Sequence, residues 1–235
     1  MNISFTSNII DPSLPAPIPA SKSIPEWYKN ISRYIGGEKK PPLQGDGTAG
    51  TIKTCMPVLD AITNGYLILS SSDVYIRKTE EGTYYTWANN NLVTFHSQEQ
   101  AVDYPKVKEK LKDENIPKFT NPWIIETPKG YSCLFVTPMH RDLPFTILPG
   151  VVDTDTYFNA VNFPFIPDPD FEGLIPRGTP IAQVIPFRRD SWNMSIDSIE
   201  NSKKKQRKLL EIKNTISSMF FDKYKKNFWT PKDFR

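Results

Sequence analysis

Asp153 and Asp155, one residue apart, close the apolar run Gly150-Val151-Val152. A carboxylate within hydrogen-bond reach of a water can take its proton as that water attacks phosphorus. Mg2+, in turn, takes one or two carboxylates together with phosphate oxygens and water. Asp153 is therefore the candidate catalytic base, and Asp153 with Asp155 the candidate magnesium site. The pair has a second reading. Aspartates at strand ends accept hydrogen bonds from their own backbone and cap turns without doing chemistry.

Other constellations stop short of a mechanism. His140-Arg141-Asp142 has the His-x-Asp spacing of iron oxygenases, which need a second histidine downstream. The only other histidine, His96, lies upstream, so a loop residue is the simpler reading. No Gly-x-Ser-x-Gly elbow provides a serine nucleophile. Cys55 and Cys133 show neither Cys-x-x-Cys nor Cys/His spacing, which excludes a structural zinc motif and predicts two buried free thiols. The Gly-Asp-Gly-Thr-Ala-Gly run at 45–50 lacks the Gly-Lys-Ser/Thr ending of a phosphate-cradling loop. Lys203 to Lys208, Lys-Lys-Lys-Gln-Arg-Lys, with Lys223, Lys225 and Lys226, fits either contact with an acidic partner or a solvated helix face.

The elements that must carry these groups are extended ones. The chain has 22 prolines against 11 glycines, and proline fixes φ and removes a backbone donor, which favours strands and set turns over long helices. Fourteen Phe, ten Tyr and five Trp predict an aromatic-rich core. We expect a mainly β fold, an antiparallel β-barrel or sandwich, with a Pro-rich N-terminal arm and a C-terminal helix. The expected division is 1–50 for arm and loop, 51–194 for the β-rich core and 195–235 for the helix and tail. With 29 basic and 26 acidic residues, the net charge of +3 argues against a nucleic-acid partner. The start MNISFTSNII has no basic, apolar leader pattern, and no apolar run approaches the roughly 20 residues that span a bilayer. A soluble, cytoplasmic protein is expected.

Asp11 to Pro25 carries five prolines, predicting an extended arm that lies on its own sheet or on a neighbouring subunit, with a PxxP ligand at Pro12 to Pro15 as the other reading. Pro57 to Thr63 reads as a short helix closed by Asn64-Gly65, and Tyr66 to Leu69 as a strand. Asp73 to Lys78 and Thr83 to Trp87 form a hairpin about a glycine turn. Leu92 to His96 is a further strand, and Tyr104 to Ile116 a loop or weak surface helix. Pro122 to Glu126 and Tyr131 to Val136 flank Thr-Pro-Lys-Gly and predict a second hairpin. Apolar residues at three- and four-residue steps from Ser195 to Phe228 predict one helix of about 45 Å, or two with a break near Asn201-Ser202.

The block Gly150-Val-Val-Asp153-Thr-Asp155-Thr-Tyr157, followed from Arg177 by RGTPIAQVIPF, resembles two successive motifs of the dUTPase family of trimeric β-barrel nucleotide hydrolases. The resemblance implies that Asp153 activates water and that Tyr157 lies under the deoxyribose. It further implies that Gly178, Ile181, Ala182 and Gln183 form the supporting strand, so Asp155, Tyr157 and Gln183 become candidate ligand contacts. The Pro-Arg-Ser-Gly phosphate loop and the Gly-rich C-terminal tail of that family are absent from this sequence, and Thr156 adds a residue before the tyrosine. Pro19 to Tyr28, Asn121 to Ser132, the Gly150 block and Phe171 to Phe187 together resemble an uncharacterised protein family found in tailed phages and marine bacteria. That second resemblance implies a phage-like origin, and hence the host cytoplasm, without implying a reaction. Two functions are weighed: a non-enzymatic binding or assembly protein forming a homo-oligomer, and a Mg2+-dependent nucleotide hydrolase on a dUTPase-like scaffold.

Overall fold

The computed structural model describes residues 1–9, 11–37, 50–88, 92–101, 103–111, 114–196, 203–216 and 222–235, and among the described residues there are fourteen strands and five α-helices. The Gly-Asp-Gly-Thr-Ala-Gly run, apart from Gly50, lies outside the described residues. By contacts the chain divides into two units, residues 1–23, 64–189 and 234 in one, and 24–63, 190–233 and 235 in the other.

The first unit is built of antiparallel sheets. β1 (Ser4–Thr6) pairs with β8 (Ile124–Glu126). A four-stranded sheet runs β10 (Phe145–Ile147), β12 (Phe163–Pro167), β7 (Ile116–Phe119), β6 (Val93–His96). A five-stranded sheet runs β11 (Gly150–Val152), β9 (Tyr131–Val136), β14 (Pro180–Arg188), β3 (Tyr66–Leu69), β2 (Ile18–Pro19). The last contains β13 (Gly173–Ile175), β4 (Val74–Thr79) and β5 (Gly82–Trp87). The fold is mainly β, as the proline and aromatic content predicts. Each sheet ends in two edge strands, so the barrel among the expected architectures is not formed.

Aromatic rings fill the space between the sheets. Phe119 stacks on Phe165 with centroids 4.0 Å apart and planes 12° apart, and Phe145 meets both rings edge-on. Ile68, Val74, Ile76, Phe135, Ile147 and Val184 pack in the same cluster. β4 turns alternate residues inward, whereas β3, β12 and β14, covered on both faces, bury successive residues. Gly65, at φ +69°, opens β3 where a Cβ would stand 2.0 Å from the carbonyl oxygen of Val184, so only glycine admits that approach.

Ahead of the Pro-rich segment β1 adds to β8, and within the segment β2 forms the edge of the five-stranded sheet. That addition undoes an expectation. β8 and β9 exist where predicted, but they do not pair as a hairpin, because β8 takes β1 while β9 lies between β11 and β14. Residues 105–111 form α3 (Pro105–Leu111), whose Val107 and Leu111, one turn apart, are buried with Ile116 and Ile166.

In the second unit, α1 (Glu26–Asn30) buries Tyr28, whose hydroxyl donates to the Lys53 carbonyl at 3.3 Å. α2 (Met56–Thr63) carries Asp60, which accepts from Trp229 Nε1 at 3.0 Å and pairs with Lys232 at 2.6 Å. Cys55, expected to be buried, is exposed, because it stands in the connection between a 3-10 turn and α2 rather than in a strand. The C-terminal helix appears as α4 (Lys203–Ile216) and α5 (Asp222–Asn227), shorter than the span from Ser195 to Phe228. Ser195 and Ile196 are not helical, and the expected break at Asn201-Ser202 lies outside the described residues. The first turn of α4 is three lysines without an acid, charges that oppose the positive end of the helix dipole. Among the described residues, no helix is long and apolar enough to cross a membrane.

Candidate functional site

The two acids stand on the bend after β11, and the structure separates them by burial. β11 is an edge strand with one partner, so the apolar run before the acids is not buried, and Val151 is 59% exposed. The bend is tightly hydrogen-bonded: the amides of Thr156 and Tyr157 donate to the Asp153 carbonyl at 3.0 and 2.9 Å. Thr154, between the acids, is fully buried, with its Oγ1 at 2.7 Å from Thr127 Oγ1 and 3.4 Å from Cys133 Sγ. Burial pushes the Cys133 thiol up to about 11, so this buried cysteine stays protonated.

Asp155 points inward, with its side chain only 2% exposed. Arg189, just beyond β14, grips it with two hydrogen bonds, Nη1 to Oδ1 at 2.8 Å and Nη2 to Oδ2 at 2.5 Å. The Gly130 amide donates to Oδ2 at 2.7 Å, and the Gly130 carbonyl accepts from the Arg189 amide at 2.9 Å. The guanidinium first, then the Gly130 amide, hold the Asp155 carboxyl down to about 2, because both favour its ionised form. Gly130 sits at φ +88°, a conformation that suits glycine at the turn into β9.

Asp153 points outward, its side chain 60% exposed. Its Oδ1 accepts from Ser132 Oγ at 2.6 Å and lies 3.2 Å from Arg189 Nη1. Oδ2 meets no hydrogen-bond donor among the described residues. Tyr157 is 44% exposed, and Phe158 beside it is 66% exposed. Gln183 lies in the middle of β14, fully buried, and both ends of its amide are engaged. Its Oε1 accepts from the Met139 amide at 2.8 Å and its Nε2 donates to the Asn64 carbonyl at 2.7 Å. The bend thus gathers Asp153, Asp155 and Tyr157, while Gln183 serves the sheet beneath. His140 is an exposed loop residue at φ +56°.

Arg189, Ser132 and Thr154 complete the constellation without a sequence signal. Arg189 is one of two adjacent arginines, and nothing local marks which of them turns back toward residues 153–155. With two carboxylates and one guanidinium, the cluster carries one net negative charge, unfavourable to a bare polyphosphate. The position between the acids is filled by the guanidinium, and both oxygens of Asp155 already accept N–H donors, so the pair as placed does not fit a bridging Mg2+. Among the described residues, no group of three His, Cys, Asp or Glu side chains could hold a metal.

No family model and no curated protein matches the chain. Solved structures similar to it include a point-mutant dUTPase from phage phi11 of S. aureus, described for its coordination of a structural Mg(II) ion. That match has 12% identity and a TM-score of 0.32, over 72% of this chain and 94% of the other. A mutant dUTPase of Staphylococcus bacteriophage 80alpha with dUpNHpp matches at 13% identity and a TM-score of 0.31, over 74% and 88%. Scores this low carry neither function nor site residues to this chain.

Proposed function

We propose that this chain is a non-enzymatic binding and assembly protein that forms a homo-oligomer. The observation that supports it best is the engagement of the acid pair by Arg189: Asp155 is turned inward to brace the turn at Gly130, and one oxygen of Asp153 is held by the same guanidinium and by Ser132. Val151, Tyr157 and Phe158, all exposed around the same bend, give this rim apolar area that a second copy would cover.

One observation favours the second reading, a nucleotide hydrolase with Asp153 as base: that carboxylate is solvent-exposed with one oxygen open. In that reading Tyr157 contacts the sugar, Asp155 orders the bend and Gln183 props the strand below.

Light scattering during size-exclusion chromatography tests the first reading, and thermal melts with a panel of nucleoside triphosphates and Mg2+ test the second. The expected result is a defined oligomer that Val151→Lys with Phe158→Lys dissociates, and no nucleotide-dependent melting shift. A monomer at every concentration would sink the assembly reading. A shift lost in Asp153→Asn, together with phosphate release by the parent, would favour the hydrolase reading instead.

A further inference from the structure

A second surface, away from the acid pair, has the composition of a ligand platform. In the β13–β4–β5 sheet, Val74 and Ile76 point into the core while Tyr75, Arg77 and Thr79 point out. Register sets Leu174 and Thr86 on either side of Tyr75, and Tyr84 opposite Arg77. Tyr75, Tyr84 and Leu174 are 43%, 49% and 51% exposed. The tyrosines and Arg77 line an open depression of about 830 Å3, rimmed by Thr79, Thr86 and the turn residues Glu80 and Glu81. Tyr84 donates to Glu81 Oε2 at 3.2 Å, which holds its ring in place.

Strand propensity accounts for tyrosine and threonine here, but not for three large apolar groups gathered on the solvent face around one arginine. We propose that this face binds a neutral, polyhydroxylated ligand, an oligosaccharide. The charges choose among occupants. One arginine against two glutamates disfavours a phosphate backbone or an acidic headgroup, since single-strand binding needs a positive groove beside its aromatic platforms. A cationic peptide would meet Arg77 on the same face as the two rings. An apolar partner would bury the guanidinium unpaired, which is costly. A sugar ring answers each feature: its C–H face lies against a tyrosine, and its hydroxyls exchange hydrogen bonds with the guanidinium, carboxylates and threonines. The rings are mounted on strands, so the platform is formed before ligand arrives.

Saturation-transfer NMR and calorimetry on the full chain, with maltotriose, cellotriose, chitotriose and mannotriose as probes and an oligothymidylate as comparison, test the proposal. At least one trisaccharide should bind, with saturation reaching its ring C–H protons. Tyr75→Ala and Tyr84→Ala should each weaken it by up to about tenfold, with Tyr75→Phe retaining binding and all three melting like the parent. Asp153→Asn should leave it unchanged, which separates this face from the bend. Failure of all four trisaccharides, binding that survives the double alanine variant, or oligothymidylate binding at this face would overturn the proposal.

Discussion

Gln183 offers the sharpest test of which side chains brace the scaffold and which meet a ligand. Gln183→Leu keeps most of the side-chain volume and strips both polar ends, so the Met139 amide loses its acceptor and the Asn64 carbonyl its donor. A buried polar group left without its partner costs about 1–3 kcal/mol. Two such groups with partial relaxation give about 3 kcal/mol, or about 6–12 °C of melting temperature for a chain of this size. Gln183→Glu sharpens the argument. One oxygen still accepts from Met139, but the other faces the Asn64 carbonyl, so burial and lone-pair repulsion raise the carboxyl's pKa in the folded state. A carboxyl raised on folding favours the native state at low pH, and that contribution fades as pH climbs above about 4.3, the unfolded value. The variant should melt closer to the parent at pH 5 than at pH 7. Circular-dichroism melts at both pH values, with hydrogen exchange at the Met139 amide, read the effect. A leucine variant within 2 °C of the parent, or a glutamate variant indifferent to pH, would refute the bracing role.

The Asp155–Arg189 pair makes an acid-side prediction. Because folding lowers the Asp155 pKa from 3.8 to about 2, the stability it adds is complete above pH 4 and drains away as pH falls toward 2. Urea midpoints measured at pH 7, 4 and 2.5 should fall less steeply at the acid end for Asp155→Asn, and Arg189→Lys should not restore the parent's profile because lysine cannot make the two-pronged contact. An aromatic disulfide reagent should label one thiol, Cys55, in the native protein and both in denaturant; rapid native labelling of Cys133 would contradict its burial. Phe165→Ala, which removes the ring stacked on Phe119, should cost about 3–5 kcal/mol by chemical denaturation, whereas a loss under 1 kcal/mol would mean that the stack does not hold the sheets together.

What the sequence disclosed and what it hid divide along the range of the interactions. β3, α2 and the β4–β5 hairpin stand where periodicity, Pro57 and the glycine turn put them, since each is decided by residues a few positions apart. The partner of β8 was hidden because Ser4 and Glu126 are 122 positions apart, and no local pattern distinguishes a strand that turns back from one that joins the N-terminus. α3 had its signal, Val107 and Leu111 one turn apart, obscured by the lysines between them. At the bend, both carboxylates were visible as chemistry-bearing residues. Their opposite environments were not, because these depend on Arg189, 34 positions beyond Asp155.

The segment carrying β1 and β2 has a temporal consequence. It is made before its partners, so β2 waits for residues 66 and 67, and β1 for residues 124–126, before either has anything to pair with. Contacts this distant close slowly, which exposes a nascent chain to wrong pairings. Prolines, which cannot donate to a foreign strand, make this stretch a poor template for aggregation during that delay. A segment made early is then among the last parts to dock, and its removal should be felt first in the yield of folded protein.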